Sequence, residues 1–105
     1  MFAVAVIEFV SSMPRGDAAS VVSRQLLRSA TSIGANYREA NRAESKADFI
    51  HKTSLAQKEA AETDYWLQIC QRAKLGRLAA ANELAGEARE LLAILTTINR
   101  KAKGR

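Results

Sequence analysis

Apolar residues recur along the chain at steps of three and four, which is the spacing of one helix face and not of a strand. In one segment these positions are Val22, Leu26, Ala30, Ile33, Tyr37 and Ala40. A second segment has a heptad-like seam at Phe49, Thr53, Ala56, Ala60, Thr63, Leu67 and Cys70. A third has its seam at Leu84, Ala88, Leu91, Leu95 and Ile98. The pattern predicts three long amphipathic helices.

Residues that interrupt helices separate these segments. Pro14 and Gly16 end a short apolar segment at the N-terminus, and Asp17 can cap the helix that follows. Ser45 is a second capping residue, and Gly76 suits a helix C-terminus. We therefore predict helices over about residues 2–12, 18–43, 46–74 and 77–101, within one domain of residues 1–105. Four such helices with short connections predict an all-α fold, an antiparallel up-down-up-down four-helix bundle.

Two glycines fall inside the predicted helices. Gly34 and Gly86 each cost about 1 kcal/mol relative to alanine in a helix interior. We expect both to mark places where another helix packs closely, and for Gly34 a kink is the alternative.

Composition and charge narrow the function classes only slightly. Apolar residues make up 48% of the 105 residues, which suffices for one core. The formal charge of +5 permits a polyanionic partner without requiring one. Cys70 is the single cysteine, so neither an intramolecular disulfide nor a zinc site made of cysteines from one chain can form, which fits a cytoplasmic protein. The apolar N-terminus is interrupted by Glu8 and too short to span a bilayer, so we expect no membrane association.

The middle of the chain carries the signatures of a known family. They are the run from Arg28 to Asn36, the pair Glu39–Ala40, the run from Ser45 to Lys52, and Glu59–Ala60 followed by Tyr65–Leu67. In this order and spacing, residues 25–69 resemble the bacterial four-helix bundle proteins of the 23S ribosomal RNA intervening-sequence family.

The resemblance implies a four-helix bundle, of a kind often assembled as a homopentamer, and it implies no enzymatic activity. Some members are encoded within inserts in large-subunit ribosomal RNA genes, and for most the activity is unknown. A relative, the accessory variability determinant protein of diversity-generating retroelements, has the same architecture and binds a reverse transcriptase and nucleic acid. Relatives usually have a longer first helix, so we expect either a lopsided bundle or a true start upstream of Met1.

The second predicted helix carries a line of arginines opposite its apolar face. At 3.6 residues per turn these side chains fall within about 40° of one line, over a length of about 27 Å. Arginine stays charged and donates two hydrogen bonds to phosphate, so we predict a nucleic-acid contact there. In a pentamer the line would be repeated five times, which favours multivalent binding. An ordinary solvated face and a contact with protein are the alternatives. The line consists of Arg24, Arg28, Arg38 and Arg42.

The third predicted helix has a second face beside its core seam. Leu55, Trp66 and Ile69 on this face are costly to leave in water. They predict a subunit interface anchored by Trp66. The alternative is a wide core stripe that buries the same side chains within one chain.

No catalytic or metal-binding constellation is visible in the sequence. A di-iron bundle needs Glu-x-x-His repeats, and the nearest approach is Asp48–His51. We therefore predict no enzyme activity, no metal and no cofactor. We predict structural roles for Asn36 and Glu39. Asn36 is expected to make a buried or interfacial hydrogen bond that fixes helix register.

These observations predict a self-assembling accessory protein that associates with RNA or DNA. The arginines of the second helix and the basic C-terminal tail would contact phosphates. The alternative is a structural or adaptor module that binds a protein partner and no nucleic acid.

Overall fold

The computed structural model describes residues 1–104 and contains four α-helices. Helix α1 covers Phe2–Ser11, α2 covers Asp17–Ala40, α3 covers Lys46–Ala73 and α4 covers Leu78–Ala102. No strand occurs in the described part of the chain. The predicted all-α, four-helix fold is confirmed.

The ends of the helices follow from local hydrogen bonds. Ser45 caps α3, because its Oγ accepts a hydrogen bond of 3.0 Å from the backbone N–H of Asp48. Lys74 ends α3 in the left-handed conformation, with φ of 58°. Helix α2 ends at Ala40 and not at Ala43 as predicted. The N–H groups of Arg42 and Ala43 donate to carbonyl groups three residues back, which tightens the chain into turns.

The helices pack as neighbours around a central axis. Helix α3 contacts α2 on one side and α4 on the other, and α1 lies between α2 and α4. Within residues 1–104, no backbone contact joins α2 to α4 or α1 to α3, so these two pairs lie on the diagonals of the bundle. Side-chain pairs show that α3 and α4 run in opposite directions. Gln71 bonds to Asn82 near one end, and Thr53 bonds to Asn99 near the other.

Helix α1 is too short to fill the space between its two neighbours. It has 10 residues, whereas α2 has 24 and α4 has 25. The half of the bundle that contains α1 is termed the closed end. The half beyond Met1, toward the C-termini of α2 and α4, is termed the open end. There α2, α3 and α4 surround the core, so the part of the bundle that residues 1–104 form is lopsided.

The two ends have different cores. At the closed end the buried residues include Val6, Phe9, Leu26 and Leu67, which belong to the larger apolar cluster. At the open end the apolar cluster is small, and it consists of Ile33, Ala56, Ala60 and Leu95. The bulk of the apolar burial, and with it the hydrophobic contribution to stability, therefore lies at the closed end.

Two buried hydrogen-bond groups join the long helices. Asn99 Nδ2 donates to the Thr53 hydroxyl at 2.8 Å and to the carbonyl of Ile50 at 3.1 Å, which ties α4 to α3. The Thr63 hydroxyl donates to that of Ser29 at 2.9 Å, which ties α3 to α2. Because these groups are satisfied only in one alignment, they fix the register of the helices.

The glycines correct one expectation. Neither Gly34 nor Gly86 is packed closely, since a Cβ atom on either would meet no heavy atom within 4 Å. At Gly34 the reason is that the N-terminal end of α1 does not extend as far as this position. Nothing in the structure explains Gly86. The close approach occurs instead at Gly76, which has φ of +82°. A Cβ there would lie 2.7 Å from Cε1 of Phe9.

Candidate nucleic-acid interface and adjoining apolar groove

The arginines of α2 are all exposed, but one of them is committed to α3. Arg28 Nη1 donates to Glu59 Oε2 at 3.0 Å, and Arg28 Nη2 donates to Glu62. The hydrogen bond to Glu62 is the largest of the influences that raise the pKa of Arg28, and desolvation acts in the opposite direction. Arg28 is therefore an intramolecular ion-pair partner before it meets any ligand.

The other three arginines of the line differ from Arg28. Arg24 Nη1 donates to the hydroxyl of Ser20 at 3.0 Å, within the same helix. Arg38 and Arg42 make no side-chain hydrogen bond and no ion pair within residues 1–104. Because α2 ends at Ala40, Arg42 lies in the turn beyond the helix, and the prediction that all four arginines lie on one helix was wrong at this position. The line thus divides into a paired part near the middle of α2 and a free part at and beyond its C-terminus.

The free part lies at the open end, where other basic residues gather. Helix α3 begins there and α4 ends there, and both carry lysine or arginine. The acidic residues of the same region are Glu39, Glu44 and Asp48. They are outnumbered by Arg38, Arg42, Lys46, Lys52, Arg100, Lys101 and Lys103. The net positive charge of the chain is therefore concentrated at the open end.

An apolar groove of about 290 Å³ runs along the open end, between α2 and α4. Its α2 wall extends from Ala30 to Tyr37 and includes Ile33 and Gly34. Its α4 wall consists of Leu91, Ile94, Leu95 and Ile98, and α1 closes one end with Met1, Phe2 and Ala3. No charged side chain lines it. The groove continues the line of α1 beyond its N-terminus.

The side chains predicted as a subunit interface lie on α3. Trp66 and Ile69 are half-buried and pack against the larger core cluster, and Leu55 is half-buried nearer the open end. Trp66 Nε1 is buried and has no hydrogen-bond partner within residues 1–104. Tyr65, which the sequence analysis did not single out, is exposed and meets Trp66 edge-on, with ring centroids 4.9 Å apart. Trp66 and Ile69 therefore already have contacts within one chain.

A comparison with known families decides what the chain is. The family model for the 23S rRNA-intervening sequence protein matches residues 1–97. The chain belongs to this family. It is also similar to the crystal structure of a protein of unknown function from the S23 ribosomal protein family of Bacteroides thetaiotaomicron. The TM-score is 0.85 and the identity 39%, over 93% of this chain and 91% of the other. No curated protein matches the sequence significantly.

The structural role predicted for Asn36 is filled by other residues of the chain. Asn36 Nδ2 donates to the carbonyl of Ser32 at 2.8 Å, so its hydrogen bond lies within α2. The side chain of Glu39 is exposed and has no hydrogen-bond partner in the described part of the chain. The buried hydrogen bonds between helices come from Thr63 and Asn99. The signal for Asn99 was its place four residues after Leu95, on the core face of α4.

Apart from these surfaces, the described residues offer little nucleophilic or metal-binding chemistry. Burial raises the pKa of the Cys70 thiol to about 11, so the thiol stays protonated and is a poor nucleophile at neutral pH. Within residues 1–104, no three His, Cys, Asp or Glu side chains lie together as metal ligands would. In the same range, no helix has the length and apolar character needed to cross a membrane.

Proposed function

We propose that this member of the 23S rRNA-intervening sequence protein family is a non-enzymatic, self-assembling accessory protein that binds RNA in the cytoplasm. The binding surface is the open end of an antiparallel up-down-up-down bundle. The observation that carries this proposal is the position of Arg38 and Arg42, which are free of intramolecular partners within residues 1–104 and lie at the end where α4 contributes Arg100, Lys101 and Lys103. The family name refers to ribosomal RNA, which favours RNA as the polyanion.

The chemistry of this end suits the phosphate backbone and not the bases. Guanidinium groups donate two hydrogen bonds to phosphate and remain charged at any physiological pH. The aromatic residues near these basic side chains, Tyr37 and Phe49, are half-buried, so in the described part of the open end no exposed ring is available for a base to stack on. Binding should therefore depend little on sequence and strongly on salt, because each neutralised phosphate releases counterions.

The test is fluorescence anisotropy with a labelled structured RNA at about 50 and about 200 mM salt. If the open end neutralises about five phosphates, affinity should fall by roughly 100- to 500-fold over this range, with the larger value for a fully helical RNA. A variant with R38Q, R42Q and R100Q should bind at least 10-fold more weakly than the unaltered protein at the lower salt concentration.

The closed end supplies a matched control. A variant with R15Q, R72Q and R77Q loses the same charge from three exposed positions at the other end of the bundle, and should keep most of the affinity. Equal loss in both variants would mean that net charge alone governs binding. No binding at 50 mM salt would contradict the proposal.

The second candidate is an adaptor that binds a protein partner through α3. It is favoured by the ring of Tyr65, which is 55% exposed on α3 and meets Trp66 edge-on. An exposed aromatic ring is the kind of side chain that a protein interface buries as an anchor. Loss of partner binding in Y65A, with RNA binding unchanged, would favour the adaptor.

A further inference from the structure

Two carboxylates of α3 hold the side chain of Arg28 on α2. Nη1 of Arg28 donates to Glu59 Oε2 at 3.0 Å, and Nη2 donates to Glu62. The same two nitrogen atoms could otherwise donate a pair of hydrogen bonds to one phosphate. Glu59 and Glu62 are together termed the carboxylate clamp. The clamp therefore occupies the phosphate-binding atoms of Arg28 before any RNA arrives.

The clamp lies in a cleft of about 180 Å³ between α2 and α3. The side chain of Glu59 is 16% exposed and that of Glu62 is 35% exposed, whereas that of Arg28 is 48% exposed. A phosphate that reached Arg28 from solvent would lie beside both carboxylates and would have to displace them from the guanidinium. Displacement would leave the largely buried carboxylate of Glu59 without its cationic partner, which is unfavourable. The exchange of one anion for another therefore adds little to RNA binding.

The middle of the bundle, where the clamp lies, differs in charge from the open end. Gln57 bonds to Thr96 and Arg89 pairs with Asp64, which places this part of α4 beside the same stretch of α3. The basic residues at this level are Arg24, Arg28, Lys58 and Arg89. They are outnumbered by the acidic residues Glu59, Glu62, Asp64, Glu87 and Glu90. Phosphates that extend from the open end toward the middle of the bundle therefore meet net repulsion.

We propose that the carboxylate clamp sets the inner boundary of the RNA-binding surface, so that RNA crosses the open end and does not run along α2. This inference rests on the proposed function and specifies the course of the RNA over that site. Arg38 lies about 15 Å from Arg28 along α2 at the helical rise, and the boundary falls between them. The bundle is 44 Å long and 20 Å across, so a contact confined to the open end spans the width of the molecule and not its length.

The decisive variant removes the charge of the clamp and keeps its size. E59Q with E62Q replaces both carboxylates by amides, which leaves Arg28 available to a phosphate. In fluorescence anisotropy with a labelled structured RNA at about 50 mM salt, this variant should bind about 10-fold more tightly than the unaltered protein, because one charged hydrogen-bond donor is added to the surface. Between about 50 and about 200 mM salt, the slope of log affinity against log salt should steepen by about 0.7–0.9, because one more phosphate is neutralised.

Helix α4 supplies the matched control. E87Q with E90Q removes the same charge at the same level of the bundle, and within residues 1–104 neither side chain forms an ion pair. The affinity should rise by less than about threefold, because solvent and salt screen these charges from the open end. The slope should stay unchanged. Equal gains in affinity and slope for the two double variants would mean that net charge alone governs binding, and the boundary would be refuted.

Arg28 itself supplies a second test. R28Q alone should change the affinity by less than about threefold, because the lost charge makes no RNA contact and is screened from the open end. Added to E59Q and E62Q, R28Q should abolish the gain in affinity and restore the original slope. Circular dichroism checks that all these variants keep their helices. A loss of about 10-fold in R28Q alone would show that RNA already reaches Arg28, and the boundary would be wrong.

The outcomes separate this inference from the function on which it rests. If the unaltered protein does not bind RNA at about 50 mM salt, both proposals are overturned. If the unaltered protein binds and E59Q with E62Q does not steepen the slope, the boundary alone is overturned. The open end would then remain the RNA-binding surface.

Discussion

The closed end of the bundle buries a larger set of apolar side chains than the open end, where small and polar side chains form much of the interior. Leu26 and Leu67 are fully buried where α1 completes the set of four helices. Beyond Met1, Ile33 and Leu95 are buried beside Ala56 and Ala60, with the hydrogen bonds of Asn99 farther along. A core between three helices has less room for bulky side chains. At the open end, hydrogen bonds therefore align the helices, as side-chain packing does at the closed end.

The two ends also divide stability from recognition. The closed end contains most of the apolar burial, and Phe9 of α1 rests on Gly76 in the loop between α3 and α4. The open end contains the groove and the excess of positive charge. Changes at the closed end should therefore alter the free energy of unfolding, and changes at the open end should alter binding. The predictions below test this division.

The largest expected effect is the loss of a large side chain at the closed end. L67A should lower the free energy of unfolding by about 3–5 kcal/mol, because it removes a fully buried leucine and leaves a cavity. I94A, at the open end, removes a side chain that is 55% exposed and should cost less than about 0.5 kcal/mol. Urea denaturation of the two variants measures the difference. Similar losses in both would mean that the two ends do not differ in this way.

Alanine substitutions at Gly76, at the closed end, and at Gly34, at the open end, should change the free energy of unfolding in opposite directions. G76A should cost about 2–4 kcal/mol, because alanine is strained at φ of +82° and its Cβ would overlap the ring of Phe9. G34A should stabilise the monomer by about 0.5–1 kcal/mol, since the added Cβ meets nothing and the helix propensity improves. Thermal unfolding at low protein concentration gives both values. A destabilised G34A monomer would show that helix propensity does not govern this position.

How far the sequence predicted the structure depends on which end is considered. The spacing of Leu26, Leu67 and Leu84 placed the long helices correctly, because one apolar stripe per helix is a local signal. The groove could not be predicted in the same way. The groove depends on how close the N-terminal end of α1 comes to Gly34 of α2. That distance is set by the packing of the two helices, and the sequence of neither helix reveals it.

The candidate binding residues show the same limit. The sequence placed Arg28 and Arg38 on one side of α2, and this side is exposed, whereas Arg42, predicted on the same helix, lies in the turn beyond Ala40. It could not show that Glu59 and Glu62 engage Arg28, because residues 31 and 34 positions apart meet only after α2 and α3 have packed. The helical wheel therefore identified the side of α2 but not which arginines are free.

A smaller effect is expected where hydrogen bonds align α3 and α4. N99A should cost about 1–2 kcal/mol, since it removes a buried donor to the Thr53 hydroxyl and the Ile50 carbonyl. N82A is the control, because its partner Gln71 lies near the surface, and it should cost less than about 0.5 kcal/mol. Equal free energies of unfolding for N99A and N82A would show that water replaces the Asn99 contacts at the open end.

The smallest effect concerns Cys70. Burial raises its pKa from 9.0 to about 11, so above pH 9 the unfolded chain loses the thiol proton before the native chain does. The free energy of unfolding should therefore fall as pH rises from about 9 to about 11, and C70A should reduce this slope. At pH 8 a thiol reagent should label the native protein far more slowly than the unfolded chain. Rapid native labelling would show that the closed end opens often.

The contact between Phe9 and Gly76 has a consequence for the newly synthesised chain. Residues 2–10 leave the ribosome before the surfaces that cover them, which include Leu67, Gly76 and Leu84. A helix of 10 residues is marginal by itself in water, so α1 must wait for most of the chain before it can dock. During that interval the segment from Phe2 to Val10, with a single charge at Glu8, remains uncovered. Chaperone capture and proteolysis should therefore concentrate on the first ten residues while α2, α3 and α4 assemble.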